Sequence, residues 1–481
     1  MNIAQFLDQP AIGFFVGGSF SPCRHALTED LISPYTKEKW KSYIPANEQD
    51  VKHAITTAKK AFPMWKNTPA PERGRLLRKI GDLLLENSST FANLMAHEMG
   101  KPITQGKGEV SYTAGYFHWF ASEAERIYGM TIPSQFPAKE LTIQYEPVGI
   151  CAAITPWNFP IAMAGRKIAA ALAAGCTIIN KPSRESPISM LLFAYLCQAA
   201  NLPEGVVNII PGPEEIIGKV LLASSDIRKL SFTGSTETGK YLYRKSADTL
   251  KKLTMELGGH APLLVFDDAN IDIAVAGTIA SKFRNNGQTC VCPNRIFVQK
   301  SIYNAFLDKF AEETAKLKVG DPLDPQSDLS PILHPTAESK VKKHIADAQE
   351  KGAEIILQGS FPYEPCILSQ VTSDMLIYKE ETFGPVAAVI PFSTEREGVE
   401  MANDTPFGLA SYFFSQDLSR CKRVASALQY GIVGVNDPLP STYQASFGGI
   451  KSSGFGREGG PTAIKEYLVE KYISTSINAG N

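Results

Sequence analysis

A surplus of charge of either sign is missing from this chain of 481 residues: 48 lysines and arginines meet 49 aspartates and glutamates, for a net charge of -1. Without a basic excess there is no electrostatic footprint for nucleic acid or for an anionic membrane surface. Long apolar runs are lacking too, since none reaches the ~18–20 residues of a membrane-spanning helix. Met1 to Gly18 has no basic stretch leading into an apolar core, so no secretory signal is expected. The 8 cysteines are scattered, which argues against a disulfide framework and for the reducing cytoplasm. The 7 histidines show no metal-ligand spacing, and no metal site is expected. Internal repeats and low-complexity tracts are absent. What remains is the composition of a soluble globular enzyme, too long for one core, for which about two or three domains are expected.

What is present falls into two patterns. Residues 48–126 read as helices: Glu48 to Trp65, Pro71 to Asn87, then a long stretch to Tyr128. From Gly149 short apolar runs alternate with helical ones. Strands are expected at Gly149 to Ile154, Cys176 to Asn180, Val206 to Ile210 and Lys229 to Phe232. Helices are expected at Ile161 to Ala173, Ile188 to Ala200 and Thr236 to Lys245. Buried strands alternating with helices predict an α/β fold with a parallel, doubly wound sheet. Such sheets bind ligands at the carboxyl ends of their strands. Thr155 to Asn158, Lys181 to Ser183, Pro211-Gly212 and Thr233 to Ser235 follow the strands and lie there. A second α/β region runs from Gly258-Gly259 to about Lys451, with strands at Pro262 to Phe266, Arg295 to Val298, Val386 to Pro391 and Ile432 to Val435. Glu140 to Pro147 and Glu466 to Ser474 are strands with charges at alternate positions. They fit either an arm reaching a neighbouring subunit or an ordinary edge hairpin.

The chemistry centres on Cys290, in the run Phe283 to Cys292, and on Glu256, in the apolar setting Met255-Glu256-Leu257-Gly258-Gly259. A thiol is a nucleophile only as thiolate and needs a base or a positive field; a carboxylate flanked by leucine and a Gly-Gly pair is a candidate base. Asn158, between prolines just past a strand, is either an oxyanion donor or a helix cap. Lys181 is placed to meet a ribose or phosphate; otherwise it is a surface lysine at a strand end. Arg184 suits a 2′-phosphate. Thr233 to Lys240 has the spacing of an NTPase phosphate loop, but Tyr241 stands where a metal-binding hydroxyl is required. Its strand-to-helix turn still offers N–H groups to a pyrophosphate. Cys292 is either a small packed residue or the partner of Cys290 in a strained, reversible disulfide.

Together these runs resemble the aldehyde dehydrogenase superfamily. The similar motifs are Thr155 to Pro160, Lys181 to Ser183, Phe232 to Thr236, Glu256 to Gly259, Gly287 to Cys290, Glu380 to Pro385 and Phe447 to Gly454, in family order across most of the chain. Phe283 to Cys292 resembles the succinate-semialdehyde dehydrogenase branch. The resemblance implies a Rossmann-like cofactor domain (1–126 and 148–257), an α/β catalytic domain (258–452) and a small β oligomerisation arm (127–147 and 466–481). It implies a homodimer or homotetramer acting on a small aldehyde. It assigns catalysis to Cys290, Glu256 and Asn158. It assigns the cofactor to Thr155, Trp157, Lys181, Ser183, Arg184, Gly234, Ser235, Leu257, Glu381 and Phe383, with Glu381 on the nicotinamide ribose and Lys181 on the adenine ribose. Many members carry an acid at the position of Arg184, so the arginine favours NADP over NAD. Arg166, Arg284 and Ser441 would hold a distal carboxylate, as in succinate semialdehyde, or in glutarate semialdehyde or a broader ω-carboxy aldehyde. The proline-rich loop Asp437 to Gln444 departs from the branch. A cysteine acyl hydrolase would use the same thiol and base but leave Lys181 and the Thr233 loop without a role. A non-catalytic scaffold protein would have no use for the matched set Cys290, Glu256 and Asn158.

Overall fold

The computed structural model describes residues 2–22, 27–332, 334–360 and 363–476. Residues 477–481, which sequence assigned to the end of the arm, lie outside the described residues. Two large sheets dominate. The first has eight strands in the order Gly454–Phe455, Lys252–Glu256, Ile227–Thr233, Ile150–Ile154, Thr177–Lys181, Val207–Ile209, Phe15–Val16 and Ser19–Phe20. Its middle five strands are parallel, and the short outer ones are antiparallel. The chain goes one way from Ile150–Ile154 and returns to the other side with Ile227–Thr233. A crevice therefore opens between the carboxyl ends of these two strands.

The helix Pro160–Ala174 packs beneath that crevice. All of its residues are buried, so it shows no polar face, and its alanines let neighbouring elements approach closely. Pro160 begins it, where a missing N–H costs nothing, and Gly175 ends it in the left-handed conformation at φ 90°. The Glu109 carboxylate accepts the N–H groups of Ile161 and Ala162 at 3.0 and 3.1 Å, capping its first turn.

The second sheet has seven strands: Glu354–Gln358, Cys366–Ser369, Val386–Phe392, Pro293–Gln299, Ala261–Val265, Ala410–Phe414 and Ile432–Val435. All pair in parallel except the first, an antiparallel edge. The charged segments form a separate antiparallel sheet of Leu468–Ser476, Lys139–Pro147 and Met130–Ile132. Between Glu48 and Glu123 run four helices, Glu48–Asn67, Ala70–Glu86, Ser88–Met99 and Ile103–Glu123. The long helical stretch expected after Asn87 is broken because Gly100 turns at φ 71° and Pro102 follows. Among the described residues no helix is long and apolar enough to cross a membrane. No group of three or more His, Cys, Asp or Glu able to hold a metal occurs there either.

Candidate active site

The thiol arrives from the second sheet. Asn285 and Asn286 adopt φ of 50° and 58° and Gly287 φ of 72°, a left-handed run that asparagine and glycine tolerate. Asn286 is held by Ser330, whose N–H donates to Asn286 Oδ1 at 3.1 Å. The next residues, Gln288 to Cys290, run into the strand Pro293–Gln299. A Cβ on Gly259 would collide with the Cys290 carbonyl, so only glycine lets the end of the first region touch the thiol loop. The Tyr412 hydroxyl donates to the Val291 carbonyl at 2.7 Å and pins the far side.

The base arrives from the first sheet. Glu256 ends the strand Lys252–Glu256, and Cys290 Sγ donates to its Oε2 at 3.8 Å. Burial pushes the Glu256 carboxyl up to about 7, against the pull of Arg166. Burial, then the Glu256 carboxylate, push the Cys290 thiol well above its usual range. The thiol therefore holds the proton and faces a carboxyl that is partly ionised near neutral pH, an arrangement that suits a base working there. Asn158 lies just ahead of the helix Pro160–Ala174. Its Nδ2 donates one hydrogen to the Gln288 carbonyl at 2.9 Å, leaving the second for another acceptor. Its own carbonyl accepts Lys101 Nζ at 2.8 Å and Asn285 Nδ2 at 3.2 Å. Lys101 is paired in turn with Glu109, both side chains fully buried. The Cys290 N–H has no partner among the described residues.

Cys290 opens onto a cavity of about 310 Å³ lined by Tyr112, Phe159, Met163, Leu439 and Phe447 with Arg166, Arg284 and Ser441. The three residues expected on a distal carboxylate thus share one cavity with the thiol. Their charges differ in state. Arg166, 1% exposed, bonds Glu256 Oε2 at 3.0 Å and pairs with Glu458. Arg284 is half-buried, sits 5.3 Å from the Phe159 ring, and has no ion pair or hydrogen bond among the described residues. Cys292 Sγ accepts Lys282 Nζ at 3.3 Å and donates to the Lys282 carbonyl at 3.5 Å.

The residues expected on a cofactor line the crevice of the first sheet. Thr155, Lys181 and the turn Gly234-Ser235 stand at neighbouring strand ends, and the Thr155 N–H donates to the Lys181 carbonyl at 3.1 Å. A Cβ on Gly234 would strike the Phe232 ring, which leaves the turn bare; Ser235 Oγ caps the next helix through the Thr238 N–H at 3.3 Å. Trp157 stands edge-on to Phe383 at 5.9 Å. Leu257 packs beneath the helix at Gly239, where a Cβ would overlap it. Glu381 Oε1 accepts the Gly259 N–H at 3.1 Å, and burial pushes its carboxyl up to about 7. Its Oε2 makes no hydrogen bond among the described residues. The Lys181 side chain is 4% exposed and pairs with Glu214; Arg184, 44% exposed, pairs with Glu29 at 3.1 Å. Ser183 Oγ donates to Glu185. A bare strand-end turn, a buried lysine and a free carboxylate oxygen fit a dinucleotide.

Sequence reasoning missed three charged groups here: Glu458 and Lys167, which pair with each other behind the base, and Lys101. Lys167 also donates to Thr233 Oγ1 at 2.6 Å. Lys167 stood out as a charge in an alanine-rich segment, whereas Glu458 lies between Arg457 and a Gly-Gly pair and Lys101 between Gly100 and Pro102, and nothing local marks their partners.

The chain matches the model of the aldehyde dehydrogenase family over residues 24–473. It is 46% identical over 479 residues to a glutarate-semialdehyde dehydrogenase of Pseudomonas putida, covering 98% of this chain and 99% of that one. It is 44% identical over 479 residues to a succinate-semialdehyde dehydrogenase [NADP(+)] of Escherichia coli, with 98% and 99% covered. A crystal structure of succinate-semialdehyde dehydrogenase from Burkholderia pseudomallei superposes with a TM-score of 0.96 at 44% identity, covering 99% of this chain and all of that one, 100%.

Proposed function

The chain belongs to the aldehyde dehydrogenase family, and on that premise we propose that it oxidises succinate semialdehyde to succinate with NADP as preferred acceptor. The observation that carries the acidic substrate is Arg284, an unpaired guanidinium in the cavity onto which Cys290 opens. A half-buried cation with no counter-ion among the described residues is a ready site for a carboxylate, and Ser441 adds a hydroxyl in the same cavity.

Glu256 takes the proton from Cys290 Sγ, and the thiolate sulfur bonds to the aldehyde carbon. The Cys290 N–H and the second hydrogen of Asn158 Nδ2 receive the oxyanion of the thiohemiacetal. A nicotinamide dinucleotide held in the crevice would supply the hydride acceptor by which this adduct is oxidised to a thioester. Lys181 and Glu381 would hold its two riboses, with Trp157, Gly234 and Ser235 on the pyrophosphate side and Thr155, Ser183, Leu257 and Phe383 completing the wall. Glu256 passes the thiol proton to solvent and then takes one from water; the hydroxide adds to the thioester carbon, the carbon–sulfur bond breaks, and the acid leaves with the Cys290 thiolate re-formed. Arg184 supports NADP because its guanidinium, 44% exposed, shares the Glu214 carboxylate with Lys181, and a guanidinium suits a 2′-phosphate.

The second reading is glutarate semialdehyde, supported by the Pseudomonas relative's name. One methylene shifts binding by only about 1–3 kcal/mol in such a pocket. The test is NADPH or NADH formation by the purified, reduced protein with succinate semialdehyde, glutarate semialdehyde and an uncharged aldehyde of similar length. Strong preference for either acid supports the reading; equal turnover of the uncharged aldehyde overturns the acidic substrate. Ester hydrolysis without any aldehyde oxidation would favour the acyl hydrolase instead.

The same proposal divides the chain into the cofactor domain, catalytic domain and arm, and makes it a cytoplasmic homodimer or homotetramer. Exposed Met130, Ile132, Val469 and Tyr472 on the three-stranded sheet support a subunit contact there. Light scattering of the purified protein reads the subunit count.

A further inference from the structure

We propose that Lys101 and Glu109, an ion pair buried behind the site, are positioning residues that hold the Asn158 amide where it can receive the oxyanion. The inference rests on the reading of Asn158 as oxyanion donor and on no particular substrate.

The helix Pro160–Ala174 starts without a cap of its own. Phe159 stands at its N-cap and offers no side-chain acceptor, so the carboxylate that takes the Ile161 and Ala162 N–H groups comes from the helix Ile103–Glu123, as Glu109 Oε1. The other oxygen, Oε2, accepts Lys101 Nζ. Gly100 at φ 71° and Pro102 fix the backbone on either side of that lysine. An ammonium can donate in several directions. Beyond Glu109, Lys101 Nζ donates to the Asn158 carbonyl at 2.8 Å and lies 3.9 Å from the centre of the Phe159 ring. Among the described residues, the contacts that the two charged groups make outside the pair thus fall on residues 158–162. Asn285 Nδ2 donates to the same Asn158 carbonyl at 3.2 Å. Gripped there from two sides, the Asn158 backbone is held from turning, and its Nδ2 stays on the Gln288 carbonyl.

Capping alone does not call for the lysine. The helix Pro187–Ala199 also begins on a proline and is capped from a distance, by Glu98, whose Oε1 accepts the Ile188 and Ser189 N–H groups. Glu98 is as buried as Glu109, yet it has no ion pair among the described residues, and burial pushes its carboxyl up to about 8. No candidate catalytic residue stands at the start of that helix. The difference between the two caps is a buried ammonium, and it is directed at Asn158. Burying such a pair gains little stability over apolar side chains of similar size, so its effect lies in the geometry it fixes. A donor set in place beforehand costs no reorganisation when the oxyanion forms.

The test is a cycle of variants in the full-length protein: Lys101→Met combined with Glu109→Gln, Asn158→Ala, and all three changes together. The paired change removes both charges at once, and the glutamine carbonyl can still accept the helix N–H groups. Neither a lone buried charge nor an uncapped helix is left behind. Measured are kcat on the aldehyde that the parent oxidises fastest, KM for the dinucleotide, and the rate of Cys290 alkylation by iodoacetamide, which forms no oxyanion. The paired variant is expected to lose about 10–100-fold in kcat, up to the cost of a misplacement of about 1 Å, with dinucleotide KM and alkylation near parental. In the Asn158→Ala background the same pair is expected to cost about threefold or less, because the group it positions is gone; independent losses would multiply in full. Parental kcat in the paired variant overturns the proposal, as does a loss of equal size with and without the Asn158 amide, or a fall in alkylation that matches the fall in kcat. If circular dichroism shows the paired variant unfolded, Glu109→Gln alone goes through the same cycle and the same outcomes decide. Parental kcat in Asn158→Ala itself overturns the oxyanion reading and this proposal with it, whereas failure of the proposal alone leaves Asn158→Ala impaired.

Discussion

The two large sheets contribute to one site by different rules. In the first sheet the candidate residues stand at or just after the carboxyl ends of parallel strands: Thr155 to Asn158, Lys181 to Arg184, Thr233 to Ser235 and Glu256. In the second they stand before strands or in a connecting loop: Cys290 ahead of Pro293–Gln299, Glu381 and Phe383 ahead of Val386–Phe392, Ser441 beyond Ile432–Val435. The first sheet holds its residues by strand geometry, which any parallel sheet supplies. The second holds its residues by specific loop contacts, such as Asn286 on Ser330 and Tyr412 on Val291. The proposed reaction therefore sits on the seam, with the candidate base and oxyanion donor from one side and the thiol from the other.

Substitutions can pull the two sides apart. Cys290→Ala should abolish aldehyde oxidation while dinucleotide binding, followed by cofactor fluorescence, survives; retained turnover would remove the second sheet from the chemistry. Asn158→Ala should cost roughly 3–4 kcal/mol of barrier in kcat, the loss typical of one oxyanion donor. A loss in KM alone would return Asn158 to a capping role. Gly259→Ala should lower kcat roughly 100-fold, because the new Cβ displaces the Cys290 carbonyl and an error of about 1 Å at a nucleophile costs that much. Dinucleotide binding should be nearly unchanged in that variant, which separates the seam from the crevice. Lys181→Ala should have the smallest effect. A raised KM for the dinucleotide of about tenfold, the low end for a hydrogen bond to a charged group, is expected with kcat nearly intact. Equal damage to kcat would mean that the crevice and the thiol are not separable.

Much of the first sheet was legible. Gly149 to Ile154, Cys176 to Asn180, Val206 to Ile210 and Lys229 to Phe232 match strands to within about two residues because buried parallel strands read as unbroken apolar runs. The strand Lys252–Glu256 was not foreseen, since lysine, threonine and glutamate break its apolar run. Gly454–Phe455 was missed for its shortness: a two-residue strand has no period to read. Met130–Ile132 escaped for the same reason, and all three of its residues are exposed.

The residue types and order along the chain were enough to propose a thiol and a carboxylate as nucleophile and base, and the family resemblance added the oxyanion role of Asn158 and the strand-end residues' dinucleotide. These candidates are local, because each stands in a run whose neighbours restrict its backbone. Which arginine is free was decided only in three dimensions. The sequence presents Arg166 and Arg284 as equals, both close to site residues in the chain. Glu458, almost at the other end, folds back onto the helix Pro160–Ala174 and joins Glu256 in neutralising Arg166, while no acid of the described residues pairs with Arg284. Charge pairing in a buried site is a property of distance, and distances between remote segments exist only once the chain has folded.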